Sequence, residues 1–168
     1  KLFKSIEDGN MTNFNNELKK VKNKINKILK YNKIPMTALM VAIEKGNVEM
    51  VKALLSAGAR IDVTTGKRNM TALHYVALVG INGYEIVKAF FEEPSMDLNI
   101  LSNMVYAKTK DGKTPLDLLD EENKTTPEKE KAKLRKVISD LPLIIKNQLV
   151  NAAEIYKDKG KGGYQLKF

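Results

Sequence analysis

The side chains that most often do chemistry are sparse in this chain and poorly grouped. His74 is its single histidine and cysteine is absent. No paired-histidine metal site can be built from one imidazole, and no second histidine is present around which a triad could be arranged. Without cysteine there are no disulfides, thiolate ligands or thiol nucleophiles, which leaves both reducing and oxidising compartments open. Glu92-Glu93 and Glu121-Glu122 are adjacent carboxylates. On a helix such neighbours diverge by about 100° rather than converging on one substrate, so solvated charge is expected of them. Gly66-Lys67-Arg68 looks like a fragment of a phosphate loop, but the earlier Gly is missing and no Ser or Thr follows the Lys. It reads as a loop tip. No catalytic residue, metal ligand or cofactor site is expected.

Charge is the next candidate. The formal net charge is +9, and it is concentrated at the amino end, where residues 1–35 carry nine Lys against three acids. The stretch Lys19-Lys20-Val21-Lys22-Asn23-Lys24-Ile25-Asn26-Lys27 is the densest part, and the basic run extends to Lys33. Such a patch attracts nucleic acid, acidic protein or an anionic surface. The competing reading is a solvated helix face in a Lys- and Asn-rich composition. Only Arg60, Arg68 and Arg135 supply guanidinium groups and there is no Trp, whereas base recognition leans on Arg forks and exposed aromatics.

Over longer stretches the chain repeats itself. Met36-Thr37-Ala38-Leu39 through Gly46 returns as Met70-Thr71-Ala72-Leu73 through Gly80, 34 positions later. Leu2 to Asn10 matches Leu39 to Asn47 in its Leu, Ile, Glu, Gly and Asn, and Lys113-Thr114-Pro115-Leu116 supplies a further Thr-x-Leu opening. A period near 34 marks units that cannot bury their apolar faces alone and must stack. Each position fits that reading. Thr37 can cap a short helix whose Leu39, Ala42 and Ile43 share one face, and Gly46 stops it. Val48, Val51, Leu54 and Leu55 define a second amphipathic helix ended by Gly58, and Tyr84, Val87, Phe90 and Phe91 repeat it.

These residues resemble the ankyrin repeat. His74 stands where the Thr-Pro-Leu-His-x-Ala signature has its His, Pro115 where it has its Pro, and Leu54-Leu55-Ser56-Ala57-Gly58-Ala59 matches the closing Leu-Leu-x-x-Gly-Ala. The resemblance covers roughly residues 1–140 and implies an all-α solenoid of about four helix-turn-helix units, at about 1–31, 32–66, 67–109 and 110–140; a capping helix and tail, which fit no repeat, are expected over 141–168. It also implies that His74 is a structural residue, hydrogen-bonded within and between units.

Departures from the pattern lie toward the carboxyl end. Thr71 to Thr114 spans 43 residues, with extra residues near Ile81-Asn82-Gly83 and between Asn99 and Lys108 that are expected in loops. Glu121-Glu122-Asn123-Lys124 lacks the usual Gly. Thr125-Thr126-Pro127-Glu128 is expected to open the last second helix, with Thr as cap and Pro in the first turn. Leu143 to Tyr156 reads as one more helix with Ile145, Leu149, Ala152 and Tyr156 on a stripe, serving either as a cap over the stack or as a separate interaction helix. Lys159 to Gly163 reads as a flexible linker.

The function that the resemblance implies is non-enzymatic binding of another protein on a concave groove. By register the loop positions of that groove are Lys33, Ile34 and Met36, then Lys67, Arg68 and Met70, then Lys110, Asp111 and Lys113. The ends of the first helices add Glu7 and Asp8, Glu44 and Lys45, Leu78 and Val79, and Glu121 and Glu122. Leu78 and Val79 form the one apolar pair, with Tyr75 a turn earlier. Either a partner covers them or the inserted Ile81 turn does. The alternatives are a nucleic-acid or anionic-surface binder using Lys19 to Lys33, or the adaptor portion of a larger secreted or effector protein. A monomer without a transmembrane segment is expected, soluble and either intracellular or secreted. Because the chain opens in mid-unit and without Met, a targeting segment has room upstream.

Overall fold

The structure, a computed structural model, describes residues 1–158, with side chains described through residue 152. The linker expected at Lys159 to Gly163 and the side chain of Tyr156 lie outside these. The described chain is mostly helical. Four helix pairs run in order: α1 (Leu2–Glu7) with α2 (Met11–Val21), α3 (Ala38–Glu44) with α4 (Val48–Ser56), α5 (Ala72–Val79) with α6 (Gly83–Glu92), and α8 (Pro115–Glu121) with α9 (Glu128–Asp158). A short helix α7 (Leu98–Met104) is inserted before α8, and two short strands, β1 (Leu29–Tyr31) and β2 (Ile34–Met36), precede α3.

The first helices α3, α5 and α8 each begin at a threonine because the hydroxyl replaces a missing backbone partner. Thr37 Oγ1 accepts from the Met40 N–H at 3.3 Å, Thr71 from His74 at 3.4 Å and Thr114 from Asp117 at 3.2 Å. Asn10 and Asn47 do the same for the second helices α2 and α4, through the N–H groups of Asn13 and Met50. The helices before α9 are too short to stand alone in water, so stacking supplies their stability.

Stacking runs in two layers. The first helices α1, α3, α5 and α8 pack in sequence, and the second helices α2, α4, α6 and α9 form the other layer behind them. Leu39, Ile43, Leu73, Val76, Leu118 and Leu119 are buried along the first layer, and Met50, Leu54, Leu55, Ile86 and Phe90 along the second. Fully burying a side chain of this kind contributes roughly 1.5–3 kcal/mol. Ala42 and Ala77 are completely buried in the first layer, and a larger residue there would have to push its neighbours aside.

Three sequence expectations are corrected at the carboxyl end. The residues between Asn99 and Lys108 do not form a plain loop, because Asp97 accepts from the N–H groups of Asn99 and Ile100 and so starts α7. Leu101, Met104 and Val105 then bury themselves. The last helix is not separate: α9 passes unbroken through Pro142 and across residues 140 and 141. A proline there removes one N–H donor, and the helix continues because its apolar seam is already docked. That seam is Leu134, Ile138, Leu141 and Ile145, all buried, while Leu149 of the expected stripe is exposed. Nor does Thr126 cap α9. Its hydroxyl donates to the Val79 carbonyl at 3.4 Å, and the Pro127 carbonyl accepts the first helical bond, from Lys131.

The joints between units are made by side chains reaching back. Asn82 Nδ2 donates to the Gly46 carbonyl at 2.8 Å, and Ile81 lies directly over Gly46, where a Cβ would collide with it. One unit further, the fully buried Asn123 donates to the Ala77 carbonyl at 2.9 Å and accepts from the Thr126 N–H at 3.1 Å. Asn123 takes over the joint where the sequence has no Gly.

Candidate functional site

Before each of the last three first helices the backbone projects as a finger. Finger one is the antiparallel β1–β2 hairpin, closed by Tyr31 opposite Ile34, with Asn32 and Lys33 at its tip in the left-handed region. Two central residues with positive φ give a tight hairpin turn. Finger two is closed by the reciprocal Thr65–Met70 backbone bonds, at 3.0 and 2.9 Å, with Gly66 to Asn69 as its tip. Finger three is closed by the Thr109 N–H on the Lys113 carbonyl at 2.9 Å, with Lys110 to Gly112 as its tip. The Lys110 N–H donates to the Arg68 carbonyl at 2.7 Å, which sets finger three beside finger two.

The residues expected on the groove divide sharply. Met36, Met70 and Tyr75 are turned inward and buried, and the Tyr75 hydroxyl lies 3.5 Å from Thr65 Oγ1. They hold the fingers to the helices. The residue just before each capping Thr closes the finger against its own helix, which is why methionine suits it twice. Exposed or partly exposed are Lys33, Lys45, Lys67, Lys110, Glu44, Leu78 and Val79. The Lys45 ammonium sits 5.9 Å from the centre of the Tyr31 ring. Leu78 and Val79 are half-buried, Leu78 packing against the core, while Ile81 rests on Gly46 and is itself 53% exposed.

Arg68 is engaged inside the protein. Its Nε and one terminal nitrogen donate to Asp111 at 3.0 and 2.7 Å, and both terminal nitrogens donate to Glu122 at 2.8 Å. Two forked pairs tie finger two to finger three and to the end of α8. Glu122 is therefore a fixed partner rather than a solvated charge, and Glu121 pairs with Lys113. Beside Arg68, and with the Thr109 hydroxyl also donating to it, the Asp111 carboxyl is held well below the ordinary aspartate range. The Glu122 carboxyl is lowered as well, chiefly by Arg68. Because both folded-state values are depressed, the stabilisation is complete above the ordinary carboxylate pKa of about 4 and is lost as pH falls below it. Arg68→Met is expected to lower the melting temperature at pH 7 and to flatten its fall between pH 5 and pH 3. Thermal melts of both proteins across that range check it.

His74 is fully buried. Its Nδ1 accepts from the Thr71 N–H at 3.1 Å, with the Thr71 hydroxyl 2.8 Å away, and its Nε2 faces the carbonyls of Ala107 at 3.0 Å and Lys113 at 3.1 Å. Carbonyls only accept, so Nε2 carries the proton and the ring is neutral. Nδ1 closes the start of α5 on Thr71, and Nε2 joins α5 to the chain around finger three. This is the bonding within and between units that the resemblance implied. Burial first of all lowers the imidazole pKa below its ordinary value, against the opposing pull of the two carbonyls.

The sequence reading missed the roles of Asn123 and Thr126, whose side chains reach back some 46 positions or more to Ala77 and Val79. No local signal marks a bond of that length. Among the described residues no helix is long and apolar enough to cross a membrane. No curated protein matches the chain. A family model described as ankyrin repeats, three copies, matches residues 5–102 and 39–119.

Proposed function

The chain belongs to the ankyrin-repeat family, whose members are generally protein-interaction modules and typically not enzymes, and from that premise we propose that it binds a partner protein along its three fingers and the adjoining ends of α3 and α5. The observation that supports this reading most is the division of the groove residues. Met36, Met70, Tyr75, Arg68 and Lys113 are committed to holding the fingers in place, while Lys33, Lys45, Lys67, Lys110, Glu44, Leu78 and Val79 keep surface open. A rigid frame presenting a different set of side chains is what preorganised recognition needs. Leu78 and Val79 are its apolar centre, flanked by charge, and anchors of that kind carry a disproportionate share of binding energy.

Affinity capture tests it, with wild type, Leu78→Asp, Val79→Asp and an outer-face control, Lys52→Glu on α4. A groove partner is expected to be retained by Lys52→Glu and weakened by more than about 1 kcal/mol by either aspartate variant. Melting curves accompany the capture, and Val79→Asp serves if Leu78→Asp unfolds, since Leu78 also packs on the core. A partner lost with Lys52→Glu and kept by both aspartate variants sinks the groove assignment.

A further inference from the structure

Resting on the groove reading, we propose that the occupant of this groove is an extended acidic segment of a protein, laid across the fingers so that one carboxylate meets each finger tip. Lys33, Lys67 and Lys110 stand at the same place in their units, each four residues before the capping threonines Thr37, Thr71 and Thr114. All three are exposed and lie within the turn of their finger. Among the described residues none of the three has an ion-pair partner, and neither have the exposed Lys30 and Lys108 at the flanks of fingers one and three.

Most acids nearby are engaged by other cations, Arg68 and Lys4 each holding two carboxylates. Asp111 and Glu122 belong to Arg68, Glu121 to Lys113, Asp62 to Arg60, and Glu7 and Asp8 lie against Lys4. Asp117 caps α8 from the Thr114 N–H. Glu44 is the remaining carboxylate on the inner helix ends without an ion pair among the described residues. The fingers therefore carry a row of uncompensated cations on a frame whose own counter-charges are locked, and the field there favours an anion.

Spacing narrows the occupant. Packed helices lie 8–10 Å apart, so successive finger tips recur at roughly 9 Å. A segment in the extended polyproline II form advances about 3.1 Å per residue with three residues per turn, so every third side chain returns to the same face at about the spacing of the lysines. Acids about three apart along an extended segment match the row. A phosphate backbone would place charge far more densely than the row can meet.

Display selection of random twelve-residue peptides on the whole chain tests this, with two triple variants that change net charge equally: Lys33→Glu/Lys67→Glu/Lys110→Glu on the fingers, and Lys19→Glu/Lys24→Glu/Lys27→Glu on the amino-terminal patch. Selected peptides are expected to carry acids about three residues apart. Their affinity should fall by about tenfold or more in the finger variant, persist in the patch variant, and weaken as salt is raised. Circular dichroism confirms that both variants fold, and single finger reversals stand in if the triple does not. Peptides without acids, or an equal loss in the patch variant, overturn the row while leaving the groove reading in place if Leu78→Asp still releases them. Peptides indifferent to both the finger variant and Leu78→Asp overturn both. Displacement of selected peptides by a twelve-nucleotide single-stranded DNA at equal charge concentration overturns it in favour of nucleic acid.

Discussion

Gly80→Ala is expected to destabilise the protein by about 3 kcal/mol or more, placing it among the most damaging single substitutions available. Gly80 closes α5 in the left-handed region at φ +73°, where a β-carbon is strained. The added Cβ would also meet Asn123 Nδ2 at 2.6 Å and run into the Thr126 hydroxyl. Those two side chains make the joint between the third and fourth units, through the carbonyls of Ala77 and Val79. Displacing them leaves buried polar groups without partners, each costing about 1–3 kcal/mol. Gly58→Ala separates strain from collision, since Gly58 has φ +91° and nothing within 4 Å of its missing Cβ. Denaturant titrations of the two variants give the comparison. Equal losses at both positions would mean that the joint yields freely and contributes little.

His74→Ala is expected to cost about 1–3 kcal/mol and to remove a pH dependence that the wild type shows. The ring is neutral in the folded protein and burial lowers its pKa, whereas in the unfolded chain it titrates near the ordinary value of about 6.5. Above that pH neither state takes up a proton and the full contribution of the ring is present. As pH falls below it the unfolded chain binds a proton that the folded ring refuses, so stability declines until the folded-state pKa is reached. Protonation of Nδ1 would set a donor against the Thr71 N–H, ending the capping box of α5. Chemical denaturation at pH 7.5 and pH 5.5 is the check: wild type should lose stability over this interval by a margin that His74→Ala lacks. A variant that kept the whole of the wild-type slope would show that another group carries it.

The helix pairs were legible in the sequence because their determinants are local and repeat. Thr37, Thr71 and Thr114 cap from the side chain to an N–H three residues on, and Gly46 and Gly80 end helices by backbone conformation. The amphipathic spacing of Val51, Leu54 and Leu55 needs only the neighbouring turns to be read. Where the pattern lapses, reading by analogy fails. The residues before Lys108 look like surplus loop until Asp97 is seen to cap α7, and the boundary expected between residues 140 and 141 is overridden by the docked seam Leu134–Ile138–Leu141–Ile145.

The groove shows the same division. Sequence by itself determined the register of the positions proposed for it and the lysine at a fixed distance before each capping threonine, because register follows from counting residues. Only the tertiary structure decided which charges remain open. Arg68 and Glu122 are 54 positions apart, and their pairing depends on how one unit settles on the next. Tyr75 and Met70 look like groove residues in register and are core residues in space, because burial is a property of what packs against a side chain rather than of its position in the repeat.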